Sequence, residues 1–504
     1  MKSLHPYLLS STSLALLLGA ISMPLAFAEN PPKEPAIKVD PSPLPQVAGT
    51  LTTFAPVVEK VAPSVVTIST SKMVKPSKNP YLNDPMFRRF FGVPDGEEDQ
   101  NQKEDAPGAK GGKKKKQMMG LGSGVVVSPE GHILTNNHVI DGADEIIVTL
   151  GNGKHEYKAK KIATDPSTDI AVLKIEPNAP LPAITFADSD KLRVGDIAIA
   201  VGSPFGLTQS VTMGIVSAIG RGGTGITDYE NFIQTDASIN PGNSGGALVD
   251  SSGRLIGINT AIFSRSGGNQ GIGFAVPANL AHTVMDSLIA KGKVSRGFLG
   301  IALQPLSEEL AKAFKIDGDN GALVASVSDK SPAEKAGVKA GDVVVEVSGK
   351  KVEGPRELQL MVAAMAPGTK VDLKLIRDGK EKVVKIELAE RPNMKVAAGG
   401  QPEKPTEPDV LDGVTVADID AETRKKFSLP ENMKGVVIAE IDADSASAEA
   451  GLKIGDVIDE INREPVTSAK QAVEMSEKVK KEKKVLLRVS TKGNSRYVVV
   501  EHKE

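Results

Sequence analysis

Three short segments hold the residue types needed for nucleophilic attack on a carbonyl: Asn136-Asn137-His138, Ser167-Thr168-Asp169 and Gly242-Asn243-Ser244-Gly245-Gly246. A serine hydroxyl is a poor nucleophile at neutral pH because it holds its proton too tightly. It becomes a good one when a neutral imidazole takes that proton and a carboxylate keeps the imidazole in the right tautomer. The chain order His138, Asp169, Ser244 is that of chymotrypsin-type double β-barrels and differs from the subtilisin and α/β-hydrolase orders. Attack places negative charge on the former carbonyl oxygen, which converging backbone N–H groups must meet. The candidate oxyanion segment is Gly242, Asn243 and Ser244, with the N–H groups of Gly242 and Ser244 as donors and Asn243 helping to set the turn. Glycine at 242, 245 and 246 allows close approach that a Cβ would obstruct. A G-x-S-G string alone is common in tight turns; its weight here comes from the His and Asp segments that precede it in order.

Strands must carry these turns. Short apolar runs at 65–68, 124–127, 146–148, 170–173, 197–201, 214–216 and 255–258 are separated by Gly, Asn, Asp and Pro. Such punctuation predicts a mainly β, closed architecture rather than β-α alternation. Residues 280–288 have the apolar spacing of a helix, and Gly292 supplies its stop. The stretch 71–118 breaks the pattern with Asn, Pro, Asp, Gly and Lys and is expected to be a long functional loop. Its aromatics Tyr81, Phe87, Phe90 and Phe91 suggest a contact surface, and its lysine run 113–116 a solvated tether.

The 504 residues imply several domains, at roughly 100–200 residues each. A net charge of −2 gives no electrostatic case for nucleic acid. With 40% hydrophobic residues but only 4% aromatic and no tryptophan, the cores must be built from Val, Ile, Leu and Ala. No G-x-x-x-x-G-K-[ST] string is present, so any proteolysis should run without ATP or another cofactor. His132 lies near His138 but has no partners that would complete a zinc signature, so no metal is expected. The chain has no cysteine, which excludes disulfides and lipidation of a signal-peptide cysteine. Lys2, the apolar stretch 14–21 and Ala26-Phe27-Ala28 predict a signal peptide over residues 1–28, cut after Ala28, with a retained anchor as the alternative. Residues 29–50, rich in Pro, Lys and Glu, are expected to form a disordered leader to a first domain at 51–292.

The last two hundred residues repeat. Gly321-Ala322-Leu323-Val324 matches Gly435-Val436-Val437-Ile438, and Ala336-Gly337-Val338-Lys339-Ala340-Gly341-Asp342-Val343 matches Ala450-Gly451-Leu452-Lys453-Ile454-Gly455-Asp456-Val457, both offset by 114 positions. Two copies of one module are predicted at 293–390 and 410–504, joined by a Pro- and Gly-rich linker at 391–409.

With Thr135-Asn136-Asn137-His138-Val139, Asp169-Ile170-Ala171-Val172, Asn231-Phe232-Ile233-Gln234-Thr235-Asp236 and Gly242-Asn243-Ser244-Gly245-Gly246, the chain resembles the HtrA family of serine proteases. The likeness is greatest to Do-like (DegP/DegQ-type) periplasmic members with two PDZ domains. That resemblance implies a chymotrypsin-like double β-barrel followed by two α+β PDZ domains. It implies His138 as general base, Asp169 as its orienting partner and Ser244 as nucleophile. Asp165 precedes Pro166 and fits a turn, and Asp236 fits a structural role. Ile239, five residues before the serine, would shape a shallow apolar specificity pocket for small aliphatic side chains.

A PDZ domain adds an extended C-terminus to a sheet edge and holds its carboxylate on loop N–H groups. In the first module Gly297-Phe298-Leu299-Gly300-Ile301 fits that loop, with Arg296 adding attraction for the carboxylate. The second module offers Leu411-Asp412-Gly413-Val414, whose aspartate would repel one, so its peptide binding is left open. The implied role is quality control of unfolded or damaged exported proteins under stress, by a periplasmic homo-oligomer built from trimers. In such an assembly, loops 71–118 and 221–229 would hold a resting state. The competing function is a non-proteolytic holding chaperone or PDZ adaptor on a protease-like scaffold.

Overall fold

Val65–Val74 and Lys115–Val126 pair as a long antiparallel hairpin in the computed structural model, and a barrel is built around it. The structure describes residues 38–41, 53–74, 115–151, 155–203, 209–264, 268–316, 318, 320–392, 409–410, 413–431, 433–479 and 482–501. The first barrel follows the spatial order His155–Lys158, Glu145–Leu150, Val65–Val74, Lys115–Val126, His132–Asn136, Ile170–Lys174, Lys160–Asp165. Its two outermost strands are consecutive in the chain. They are broken only at Ala159, whose N–H still bonds to the carbonyl of Ile146, so one bent segment closes the sheet on itself. Closure of this kind shortens the exposed sheet edge. The second barrel runs Arg254–Ile262, Ala247–Val249, Ile197–Gly202, Ser210–Arg221, Phe232–Thr235, Gly273–Pro277, and closes where the last pairs with the first.

Residues of both barrels meet in one buried cluster that includes Leu134, Ile170, Val172, Val201, Phe232, Ile258 and Phe274. Helix Ala278–Lys291 covers it with Ala278, Ala281, Val284, Met285 and Leu288, spaced to share one helical face. Gly292, at φ 68°, ends that helix in the left-handed cap that glycine adopts without strain. The helix touches strands from both barrels and so fixes them relative to each other.

Two expectations need correction here. Residues 71–74 and 115–118 are not irregular loop; Ser71 pairs with Met118 and Val74 with Lys115, extending the hairpin beyond its apolar part. Main-chain pairing, with the Met73 N–H on the Asp144 carboxylate at 2.8 Å, holds those outer rungs, so apolar patterning does not reveal them. The aromatic group at 81–91 lies outside the described residues. Within the leader expected to be disordered, Val39–Asp40 forms a short strand parallel to Thr185–Ala187. Asp40 also lies 3.3 Å from the guanidinium of Arg254, so a charge and a few main-chain bonds anchor a segment with little apolar content. The expected signal segment, 1–28, is outside the described residues.

Each repeat is a small antiparallel sheet with helices. In the first, the order is Ile301–Pro305, Ala322–Val327, Val343–Val347, Lys370–Arg377, Lys380–Glu387, with helix Pro355–Ala363. In the second it is Asp409–Val410, Val414–Asp418, Val436–Ile441, Val457–Ile461, Lys484–Thr491, Asn494–Glu501, with helix Ala469–Val479. The modules dock on each other. Phe314 and Tyr497 meet edge to face at 5.0 Å within a shared apolar cluster that includes Leu310, Leu323, Val343 and Leu486. The Gln304 side chain pairs with the Tyr497 main chain in both directions, at 2.6 and 3.1 Å, and Arg463 lies 2.6 Å from Asp378. Tyr497→Ala should therefore destabilise the docked modules by about 3 kcal/mol, the usual scale for losing a buried aromatic ring. Calorimetric unfolding reads this, and an unchanged melting temperature would contradict it.

Candidate active site

The cleft between the barrels receives its parts from three turns. His138 sits on the one-turn helix Asn137–Ile140, directly after strand His132–Asn136. Asp169 occupies the turn between Lys160–Asp165 and Ile170–Lys174 at φ 59°, a left-handed position that Asp tolerates better than most residues. Ser244 comes from the second barrel, between Phe232–Thr235 and Ala247–Val249.

Asp169 holds the His138 segment at four points. Its Oδ2 lies 2.7 Å from His138 Nδ1 and its Oδ1 accepts the His138 main-chain N–H at 2.9 Å. Its carbonyl accepts the Asn137 N–H at 3.1 Å and the Asn136 side-chain amide at 3.0 Å. With the carboxylate on Nδ1, the proton belongs there and the lone pair lies on Nε2, the tautomer a general base requires. Asn136 also donates to Thr260 Oγ1 at 3.0 Å, and the Thr260 carbonyl accepts the Ser244 hydroxyl at 3.2 Å. Asn136 and Thr260 thus link the two barrels behind the cleft. Asn136 stood in the quoted motif without a role, and Thr260 carries no local signal at all.

Gly242 has φ 100° and Gly245 φ 84°. A Cβ on Gly245 would strike the Ser123 carbonyl, so glycine is required there by space as well as by angle. The N–H groups of Asn243, Gly245 and Gly246 are taken by Asn240, Asn259 and Asn243 carbonyls respectively, at 2.8–2.9 Å. Among the described residues, those of Gly242 and Ser244 have no such partner. Asn243 has the turn-setting place expected of it: its N–H closes the turn, and its side chain is buried against Gly202. Ile239 is fully buried in the core of the second barrel with its Cδ1 facing Gly273. Asp236 accepts the Ile215 N–H at 2.7 Å, a structural bond. His132 Nδ1 lies 2.8 Å from Ser128 Oγ, and burial lowers the pKa of its imidazole.

Residues 122–258 match the family model of a trypsin-like peptidase domain, and residues 297–388 and 437–489 each match a PDZ domain. A Haemophilus influenzae protein described as a probable periplasmic serine protease do/HhoA-like is 43% identical over 433 residues, 85% of this chain and 88% of its own. The periplasmic serine endoprotease DegP of Salmonella typhimurium is 40% identical over 461 residues, 90% of this chain and 92% of its own. The solved structure of the HtrA-type protease AlgW with a decapeptide aligns at TM-score 0.56 and 45% identity, covering 68% of this chain and all of that one. The chain belongs to the DegP/HtrA family of serine endoproteases. Its fold is the trypsin-like two-barrel domain followed by two PDZ domains. Among the described residues, no helix is long and apolar enough to cross a membrane.

In this HtrA-family protease the first PDZ domain grips the protease domain through Arg296. That side chain was expected to attract a peptide carboxylate. Instead its two terminal nitrogens lie 2.9 and 2.5 Å from the Asp165 oxygens, and its guanidinium stacks 4.5 Å from the Tyr229 ring centre. Asp165 in turn accepts the Thr168 hydroxyl, one residue before Asp169. Arg391, at the other end of the PDZ domain, donates to the Tyr229 hydroxyl at 2.7 Å. Two largely buried opposite charges pair across the domain boundary, so removing either one would leave the other buried without its counter-charge.

The segment around Tyr229 is knotted by Glu230, whose carboxylate accepts the Thr224 hydroxyl and the N–H groups of Thr224 and Ile226 at 2.6–2.8 Å. Burial alone would push that carboxyl up, but these bonds outweigh it and hold it below the ordinary glutamate range. A depressed carboxylate stabilises the fold above its unfolded-state value, about pH 4.3. That contribution is lost as pH falls through the lower folded-state value. Hydrogen exchange at the Thr224 and Ile226 amides should accordingly speed up, after correction for intrinsic rates, only as pH drops below about 4; Glu230→Gln should show fast exchange already at neutral pH.

Proposed function

We propose that this protease degrades unfolded or damaged exported proteins without ATP, with His138 as general base, Asp169 orienting it and Ser244 as nucleophile. The observation that carries this is the double grip of Asp169 on His138, facing a turn on which the Ser244 and Gly242 N–H groups are left available. In the reaction the Ser244 hydroxyl turns from the Thr260 carbonyl toward His138 Nε2, gives up its proton and attacks the scissile carbonyl. The two N–H groups meet the charge that develops on its oxygen. Ile239, an apolar side chain packed in the second-barrel core beside Gly273, supports cleavage after small aliphatic residues. Relatives named as periplasmic support action in the periplasm. Self-association, read here as a trimer, is supported by strand Ser210–Arg221, which leaves Val211, Met213 and Ile215 exposed.

The first PDZ domain recruits substrate C-termini in this reading. Among the described residues, strand Ile301–Pro305 pairs only with Ala322–Val327, which leaves its other edge for an added strand. The carbonyls of Leu299 and Gly300 are taken by the Ala333 and Ser328 N–H groups. Their own N–H groups have no partner among the described residues and suit a carboxylate. Gly297 and Phe298 pair with Glu390 and Ala389, and Ile301 begins the open strand. In the second PDZ domain the matching edge is occupied: Val410 pairs with Val414 and Asp409 with Thr415. Leu411 and Asp412 lie outside the described residues.

Purified residues 29–504 should cleave unfolded casein without ATP or metal, with fragment ends following small aliphatic residues. Ser244→Ala should reduce the rate by roughly 10⁶-fold. A variant that keeps its cleavage rate would remove Ser244 from the mechanism. Titration of Ser244→Ala with a peptide bearing a free apolar C-terminus should reach one peptide per chain, and the amidated peptide should not bind; saturation at two would show that the second edge opens.

A further inference from the structure

Ser123 contacts the Ser244 turn from the opposite barrel, and its side chain has no place in the reaction just described. It lies on strand Lys115–Val126 and is fully buried. Its hydroxyl donates to the Gly242 carbonyl at 2.6 Å and accepts the Ser203 N–H at 2.8 Å. Its main-chain N–H donates to the Ser244 carbonyl at 2.8 Å, and its carbonyl accepts the Thr135 hydroxyl at 2.7 Å.

The consequence follows peptide by peptide. The 242–243 peptide is fixed at both ends, its carbonyl by the Ser123 hydroxyl and its N–H by the Asn240 carbonyl. The 244–245 peptide is fixed likewise, by the Ser123 N–H and the Asn259 carbonyl. The carbonyl of the peptide between them accepts the Gly246 N–H at 2.9 Å, so the Ser244 N–H has a set direction. Gly242 has no Cβ to limit its rotation, and φ 100° lies outside the range that other residues favour. Of the bonds that fix its 242–243 peptide, the one from Ser123 is the only one made by a side chain. We infer that the Ser123 hydroxyl is a positioning residue for the oxyanion site, holding the Gly242–Ser244 turn so that both available N–H groups serve the same oxygen. Serine suits the task because one small hydroxyl both donates and accepts. Alanine would leave the Gly242 carbonyl and the Ser203 N–H buried without that partner.

This inference rests on Ser244 as nucleophile, which is tested separately by mapping the residue that a fluorophosphonate labels in the wild-type full chain. Peptide hydrolysis by Ser123→Ala should then show kcat lowered about 10- to 100-fold, somewhat less than loss of an oxyanion donor itself. KM should stay within about twofold, because the bond acts on the transition state rather than on ground-state binding. Affinity for a peptide aldehyde, whose adduct places an oxygen in the site, should fall by the same factor as kcat. Thr67→Val is the comparison: it removes a 2.6 Å bond to the Ser203 hydroxyl in the same buried patch without touching Gly242. That variant should lose stability while keeping kcat within about threefold. Equal kcat losses in the two variants, or an unchanged kcat in Ser123→Ala, would overturn the assignment. If Ser123→Ala does not fold, Ser123→Cys, with its weaker donor, should give the same kcat-selective loss in smaller measure; a loss confined to KM or stability would count against it.

Discussion

The structure depends on one constraint: the cleft chemistry is divided between two barrels, so each barrel must be rigid and their contact must be fixed. Closed sheets supply the first requirement: the second barrel closes through a strand pair and the first through the bent segment around Ala159. The shared core under helix Ala278–Lys291 supplies the second. That core is non-directional, however, and apolar burial cannot align a carbonyl or an N–H. Alignment falls to the hydrogen bonds that cross between the barrels, from Asn136 to Thr260 and from Ser123 to Gly242 and Ser244. Their partners are buried, so each bond left unmade would cost far more than it would in water.

The same division explains where the PDZ domain attaches. Asp165 and Asp169 stand at the two ends of one short turn, and the N–H groups of Thr168 and Asp169 bond back to Asp165 and Pro166 carbonyls. Arg296 on Asp165 and Asp169 on His138 are therefore neighbours within one hydrogen-bonded turn. Tyr229 joins the other side, with its N–H on the Ser167 carbonyl and its ring between Arg296 and Arg391. Displacement of the PDZ domain has a short covalent route to the carboxylate that faces His138.

Much of this was legible in the residues. The family pattern, in which the aspartate opens an apolar strand, pointed to Asp169 rather than Asp165, and the 114-position repeat gave two modules. The partner of Arg296 was not legible, since Asp165 lies 131 positions away. Beside Gly297, a lone arginine is equally suited to a carboxylate ligand or to a carboxylate side chain. Val39–Asp40 escaped notice because its pairing uses main-chain groups and one charge, neither of which changes composition. Ser123 escaped because a serine between two glycines weakens a strand pattern, and its bonds reach a turn more than a hundred positions on.

Sequence likeness between the two modules also conceals how differently they are used. Gly300 and Gly413 both take positive φ and both approach a serine that caps a short helix further along the module, Ser331 before Pro332–Lys335 and Ser445 before Ala446–Glu449. The conserved geometry ends there. In the first module the chain before this glycine, Gly297–Phe298, pairs away with Ala389–Glu390 and leaves Ile301–Pro305 with a bare edge. In the second, the chain before it turns back and covers the corresponding edge at Asp409–Val410. A strand edge offers the same main-chain groups to any extended segment, so a tethered neighbour at high effective concentration outcompetes a free one of similar affinity. In the proposed reading, the path of the few residues before this glycine, rather than the motif both modules share, sets which module receives a C-terminus.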